Sequence, residues 1–242
     1  GDADLIFVGR SPESLFDYLS GILAGTPWED RLTLMNVSLK VVSSSRTPPP
    51  VAGGTAAVRE LLASAGLAPL TVSRRTRPAA LIDFVYRGET FGRLLRLLSD
   101  WARELGMSPE LYHRRLRFVG ITERTKNSPN TWRWYQQVSW ARRLPPRVLK
   151  SVSVPRRFWD YLADDQAKIS PSYPPWRWSE PDISQPPRDA QSIAALGVAL
   201  ALYSTGRSQM ERRAFARTMA TLPAMRSKWF RSLALVVKRA VT

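Results

Sequence analysis

The chain has 242 residues, room for one α/β domain but cramped for two, and its 44% hydrophobic content can bury a substantial core. It has no cysteine and a single histidine, His113, which excludes disulfides, thiolate metal sites, the common zinc clusters and Ser/His or Cys/His catalytic pairs. With 36 Lys and Arg against 20 acidic residues the net charge is +16, a field that attracts phosphates, nucleic acid or anionic membrane, although such a composition is equally compatible with side chains that are simply solvated.

In chain order, Asp4–Val8 is a short apolar run that reads as a strand. Gly9-Arg10-Ser11-Pro12-Glu13 follows, and then Leu15, Phe16, Leu19, Ile22 and Leu23 recur at helical spacing. Ser11 is expected to cap this helix with Pro12 in its first position, leaving backbone N–H groups available to an anion. Residues 32–42 read as a second strand, 43–54 as a mobile loop rich in Ser, Pro and Gly, and 55–65 as a short helix. Arg74, Arg75 and Arg77 lead into the apolar run 79–85; after Gly88, residues Phe91, Leu94, Leu95, Leu97, Leu98 and Trp101 mark one face of a strong helix. A further strand is expected at 116–122. Residues 125–187 hold Trp132, Trp134, Trp140, Trp159, Trp176 and Trp178 among prolines and arginines with little period, and read as an irregular cap over the sheet edge. From Asp189 onward the pattern is helical: 193–203 is apolar nearly all round, which predicts burial, and 210–222 and 225–241 follow.

Strands alternating with helices predict an α/β fold with a mostly parallel sheet flanked by helices, in which ligands bind beyond the carboxyl ends of the strands. Arg10 and Gly88 both fall at such ends. The predicted core spans 1–125; 126–242 supply the Trp/Pro-rich cap and C-terminal helices, packed on the same domain. No run reaches about 18 uninterrupted apolar residues and the start lacks a leader pattern, so a cytoplasmic chain without stable membrane insertion is expected. A homodimer is left open.

The segment Ile82-Asp83-Phe84-Val85-Tyr86-Arg87-Gly88-Glu89-Thr90 carries the most chemistry. An apolar strand ends in an acid, a glycine follows five residues later, and a threonine opens the helix, so that successive N–H groups, the Thr90 hydroxyl and the helix dipole converge on a phosphate. An ordinary strand-to-helix turn would use the same residues differently, with Gly88 supplying a positive φ and Asp83 satisfying nearby backbone N–H groups.

The spacing resembles the phosphoribosyl diphosphate signature of type I phosphoribosyltransferases, and the order of parts over about residues 4–125 is similar to theirs. The resemblance implies a phosphoribosyltransferase-like core and a glycosyltransferase reaction: transfer of a 5-phosphoribosyl group from phosphoribosyl diphosphate, with magnesium as cofactor, to an unidentified acceptor. It implies that Arg10 and Ser11 contact diphosphate and that Arg87, Gly88, Glu89 and Thr90 surround the 5-phosphate. Asp83 would hold the ribose, directly or through magnesium and its waters. It also implies a mobile loop ahead of the signature strand, matched here by 43–54 and by Arg74 to Arg77. The departures are Ile82 where the family carries the first acid, Tyr86 where many members carry a second aspartate, and Arg87 where they carry threonine. Either Glu89 or a cap residue compensates, making Asp83 and Glu89 the candidate catalytic residues, or the chain is a non-catalytic relative that binds a phosphorylated ligand and nucleic acid.

Four other features have less specific readings. His113 reads as a surface or capping residue. The aromatic and arginine interleaving around Trp132, Trp134 and Tyr135, and around Trp176 and Trp178, suits core and cap packing or the stacking of a nucleic-acid base. The last helix carries a basic amphipathic pattern that fits docking on the domain or lying on a membrane surface. Asp160, Asp164 and Asp165, near Lys168, read as solvated or paired.

Overall fold

The computed structural model describes residues 2–37, 39, 54–130, 132–168 and 188–240. It is an α/β fold built on five parallel strands: β1 (Asp4–Val8), β2 (Leu32–Met35), β3 (Ala79–Phe84), β4 (Leu116–Glu123) and β5 (Leu149–Val154), in the order β2-β1-β3-β4-β5. β3 lies at the centre, and all six of its residues are buried, as expected of a strand covered on both faces.

The strand alternation sends side chains to two cores. Ile6, Val8, Leu81, Val85 and Phe118 pack with α2 (Gly54–Ser64), α3 (Pro69–Arg74), α4 (Glu89–Glu104) and Tyr112 of α5 (Pro109–His113). The other face brings Phe7, Ile82, Phe84 and Ile121 against α1 (Glu13–Leu23) and Trp159 of α6 (Arg156–Asp160). In α4, Phe91, Leu94, Leu95, Leu98 and Ala102 form the buried stripe that the helical period predicts.

The sheet does not stop at residue 125. β5 closes its edge, and the stretch leading to it is a crossover of 3₁₀ turns in which Trp134 is 1% exposed. Trp134 and Trp140 join the core, and Trp159 is buried on the opposite face, so these rings pack rather than present a stacking surface. Trp176 and Trp178 lie outside the described residues, as does the predicted loop at 43–53. The predicted second strand ends early, at Met35.

The C-terminal helices α7 (Ala190–Arg207), α8 (Gln209–Ala220) and α9 (Lys228–Arg239) gather on α1. Gly21 of α1 and Gly206 of α7 let the two backbones touch, since a Cβ at either would strike the other helix. Arg212, 1% exposed, donates through Nη2 to the carbonyls of Gly21 (2.9 Å) and Ala24 (2.6 Å). The Tyr18 hydroxyl reaches Glu211 at 2.5 Å. Val237 of α9 is buried in the same cluster, so the last helix docks on the protein. The predicted burial of 193–203 is not what the fold adopts: Ile193, Leu196 and Leu200 are 62–65% exposed, because α7 needs only one narrow side to meet α1. Among the described residues no helix is long and apolar enough to cross a membrane.

Candidate functional site

Neighbouring strands β1 and β3 feed helices on opposite faces of the sheet, so the connections that leave them diverge and open a crevice at their carboxyl ends. Both loops singled out by sequence leave the carboxyl ends of these adjacent strands. After β1, Gly9 adopts φ +74° and donates its N–H to the Met35 carbonyl at 2.9 Å, tying the loop to the end of β2. The helix then starts at Glu13 with Pro12 as its N-cap and no side-chain cap. Ser11 therefore does not cap it; a turn closed by the Glu13 N–H on the Arg10 carbonyl does that work (3.3 Å).

After β3, Val85 still donates to the Ile121 carbonyl at 2.9 Å, and then the chain turns. Tyr86 and Arg87 stand out to solvent, and Gly88, at φ +65°, is the left-handed residue from which the 16-residue α4 departs. Glycine is required here twice. Its φ disfavours any side chain, and the ring of Trp134 occupies the place a Cβ would take. That indole spans Gly88 and Gly120, donates Nε1 to the Lys150 carbonyl at 2.9 Å, and so forms the back wall of the turn. The turn itself, Phe84 through Thr90, lines an open depression of about 360 Å³. The first-turn N–H groups of α4 lack partners within the helix, and with the dipole behind them they are the kind of group that attracts an anion.

Asp83 alternates with Leu81 and Val85, so it projects under the first turn of α4. Burial pushes its carboxyl up to about 8, against the opposing hydrogen bonds from the Phe84 N–H and the Thr90 side chain. Near neutral pH it is largely protonated, and it braces the turn from beneath. The expected second carboxylate does not join it. Glu89 has 72% of its side chain exposed and pairs with Arg93 at 3.8 Å along the helix surface. This donor set does not fit a direct magnesium ligand sphere: Asp83 is buried and engaged by the turn, and among the described residues no group of three or more candidate ligands assembles.

Arg74 to Arg77 also lie elsewhere than expected. Arg75 and Arg77 bind Asp4 at 2.6 and 3.1 Å, at the amino-terminal edge of the sheet, so they do not overhang the crevice. His113 is half-buried at the end of α5 with its ring on Tyr112, and burial lowers its pKa. No family model, curated protein or solved structure matches this chain.

The residues that sequence reasoning missed come from α1 and the segment after β5. Lys168 is 4% exposed and sits against the β1–α1 loop, donating Nζ to the Ser11 carbonyl at 3.3 Å. Asp17, one turn after the buried Glu13, is raised to about 6 by burial, with Lys168 opposing. Trp159 meets Tyr86 edge to face at 4.5 Å and donates Nε1 to the Ile121 carbonyl at 3.3 Å. The one sequence signal for this set was the helical spacing of Glu13 and Asp17, four residues apart, on the helix that follows the first loop.

Proposed function

We propose that the crevice between β1 and β3 binds a phosphorylated ribose ligand of the phosphoribosyl diphosphate class. One observation carries this reading: two loops, each leading from the carboxyl end of a strand into a helix, stand on adjacent strands at the point where the strand order reverses. The turn from Arg87 to Thr90 takes the 5-phosphate, with backbone N–H groups and the α4 dipole supplying the attraction. Arg10 and the Ser11 loop take the diphosphate end, and Arg87 adds a guanidinium suited to phosphate oxygens. Asp83 holds the turn in shape. Calorimetric titration with ribose 5-phosphate and with phosphoribosyl diphosphate tests the reading. Micromolar to low-millimolar binding, weakened about tenfold in Arg87→Ala, is expected; no binding of either compound overturns it.

Transfer of the 5-phosphoribosyl group to an acceptor is a second reading, resting on the Asp83-to-Thr90 spacing between strand and helix, and it needs Asp83 to leave its buried place beneath the turn. It requires diphosphate release from phosphoribosyl diphosphate, and loss of that release in Asp83→Asn. The non-catalytic alternative extends to nucleic acid through the +16 charge. A filter-binding titration that failed to weaken steeply with rising salt would remove it.

A further inference from the structure

The segment that follows β5 touches both loops of the crevice. Its first part, α6, places Trp159 under Tyr86 of the β3–α4 turn and against the Ile121 carbonyl of β4. A π-helical turn (Tyr161–Asp165) then brings the chain round to Gln166 and Lys168. Lys168 donates to three oxygens: the Leu162 carbonyl at 2.9 Å and Gln166 Oε1 at 3.0 Å, both within its own segment, and the Ser11 carbonyl at 3.3 Å in the β1–α1 loop. An ammonium carries three protons, so this arrangement uses every donor it has. Two of its bonds shape its own segment; the third reaches across to the loop.

We propose that Lys168 is a positioning residue for the anion crevice: from a segment whose Trp159 braces one loop, its ammonium holds the Ser11 carbonyl of the other and fixes the separation between them. The proposal rests on the phosphate reading of the crevice. The fixed separation matters because two binding loops on separate strand ends must both present N–H groups and guanidinia to one ligand, and each loop held in place beforehand lowers the ordering cost of binding. The ammonium also adds positive charge beside Arg10.

The charged groups facing Lys168 are Arg10 from the β1–α1 loop, and Glu13 and Asp17 from α1. Burial, helped by Arg10 and opposed by the two carboxylates, lowers the ammonium to about 8. The sign follows directly. As pH rises through that value the crevice loses a positive charge and one donor of three, so anion affinity falls; by linkage, a bound anion raises the lysine's pKa.

The test uses the full chain and ribose 5-phosphate, whose phosphate is fully ionised above about pH 7. At pH 7, Lys168→Met is expected to weaken binding about tenfold with far-UV circular dichroism unchanged, and Lys168→Arg to restore most of it. Asp83 titrates in the same range, so the pH profile is compared between the parent and Lys168→Arg, with the parent falling more steeply above pH 8. If the variants fail to fold, side-chain NMR of the parent decides: one lysine ammonium titrates near 8 and moves up when ribose 5-phosphate is added. Parent-like affinity in Lys168→Met, identical pH profiles, or an ammonium indifferent to ligand overturns the positioning role while the phosphate reading stands. No binding to the parent at pH 7 overturns both.

Discussion

Asp83 is the residue whose environment departs furthest from the ordinary. An acid whose folded pKa lies near 8, against about 4 unfolded, keeps its proton in the native state while the unfolded chain releases it. The contribution to stability is therefore neutral below about pH 4, turns unfavourable as pH climbs from there to 8, and is fully unfavourable above. Asp83→Asn keeps an acceptor for Thr90 without the ionisation, so it is expected to raise stability by about 1–2 kcal/mol at pH 8 and by little at pH 4.5. Thermal melts at the two pH values check this; an equal effect at both would mean that Asp83 is ionised in the fold. Gly88→Ala meets both a left-handed φ and the Trp134 ring, and a loss of about 2–4 kcal/mol in urea denaturation is expected.

At the scale of elements, the crossover between β4 and β5 supports the candidate site from behind. Trp134→Ala removes the ring that spans Gly88 and Gly120, with an expected cost of about 3–5 kcal/mol in urea denaturation and a loss of ribose 5-phosphate affinity at the turn this buried ring backs. This crossover also marks where sequence reading ran out. Residues 4–8 and 79–84 were legible as short apolar runs and 89–104 by its helical period, and the turn between β3 and α4 was legible because glycine and threonine punctuate it. β5 was missed because Leu149-Lys150-Ser151-Val152-Ser153-Val154 is an edge strand with a polar face, set after a run of 3₁₀ turns that have no period to detect. Lys168 could not be placed, since its partner Ser11 lies 157 residues away and the bond is to a main-chain carbonyl, which every residue possesses. The exposure of α7 was misjudged for the opposite reason: a helix apolar all round has no moment to say which side is covered. Leu196→Lys should accordingly leave the melting temperature within about 0.5 kcal/mol equivalent of the parent, whereas a buried leucine would lose several times that.

At the scale of the whole molecule, the two halves that composition distinguishes are not independent. α1 belongs to the sheet on one side and to α7, α8 and α9 on the other, with Arg212 holding the carbonyls at its C-terminal end. Arg212→Met removes those two bonds and leaves the Gly21 and Ala24 carbonyls without them at a buried site. A fall of about 2–4 kcal/mol and earlier proteolysis of the C-terminal helices are expected, read by urea denaturation and limited trypsin digestion. The same contact governs how the chain comes off the ribosome. Gly21 leaves the ribosome 191 residues ahead of its partner Arg212. At about 5–20 residues per second, α1 therefore waits on the order of ten seconds or more with Ile22 and Leu23 uncovered. A chain truncated before α7 is therefore expected to leave Ile22 and Leu23 uncovered and to aggregate rather than form a smaller stable domain, which light scattering of the truncated chain checks.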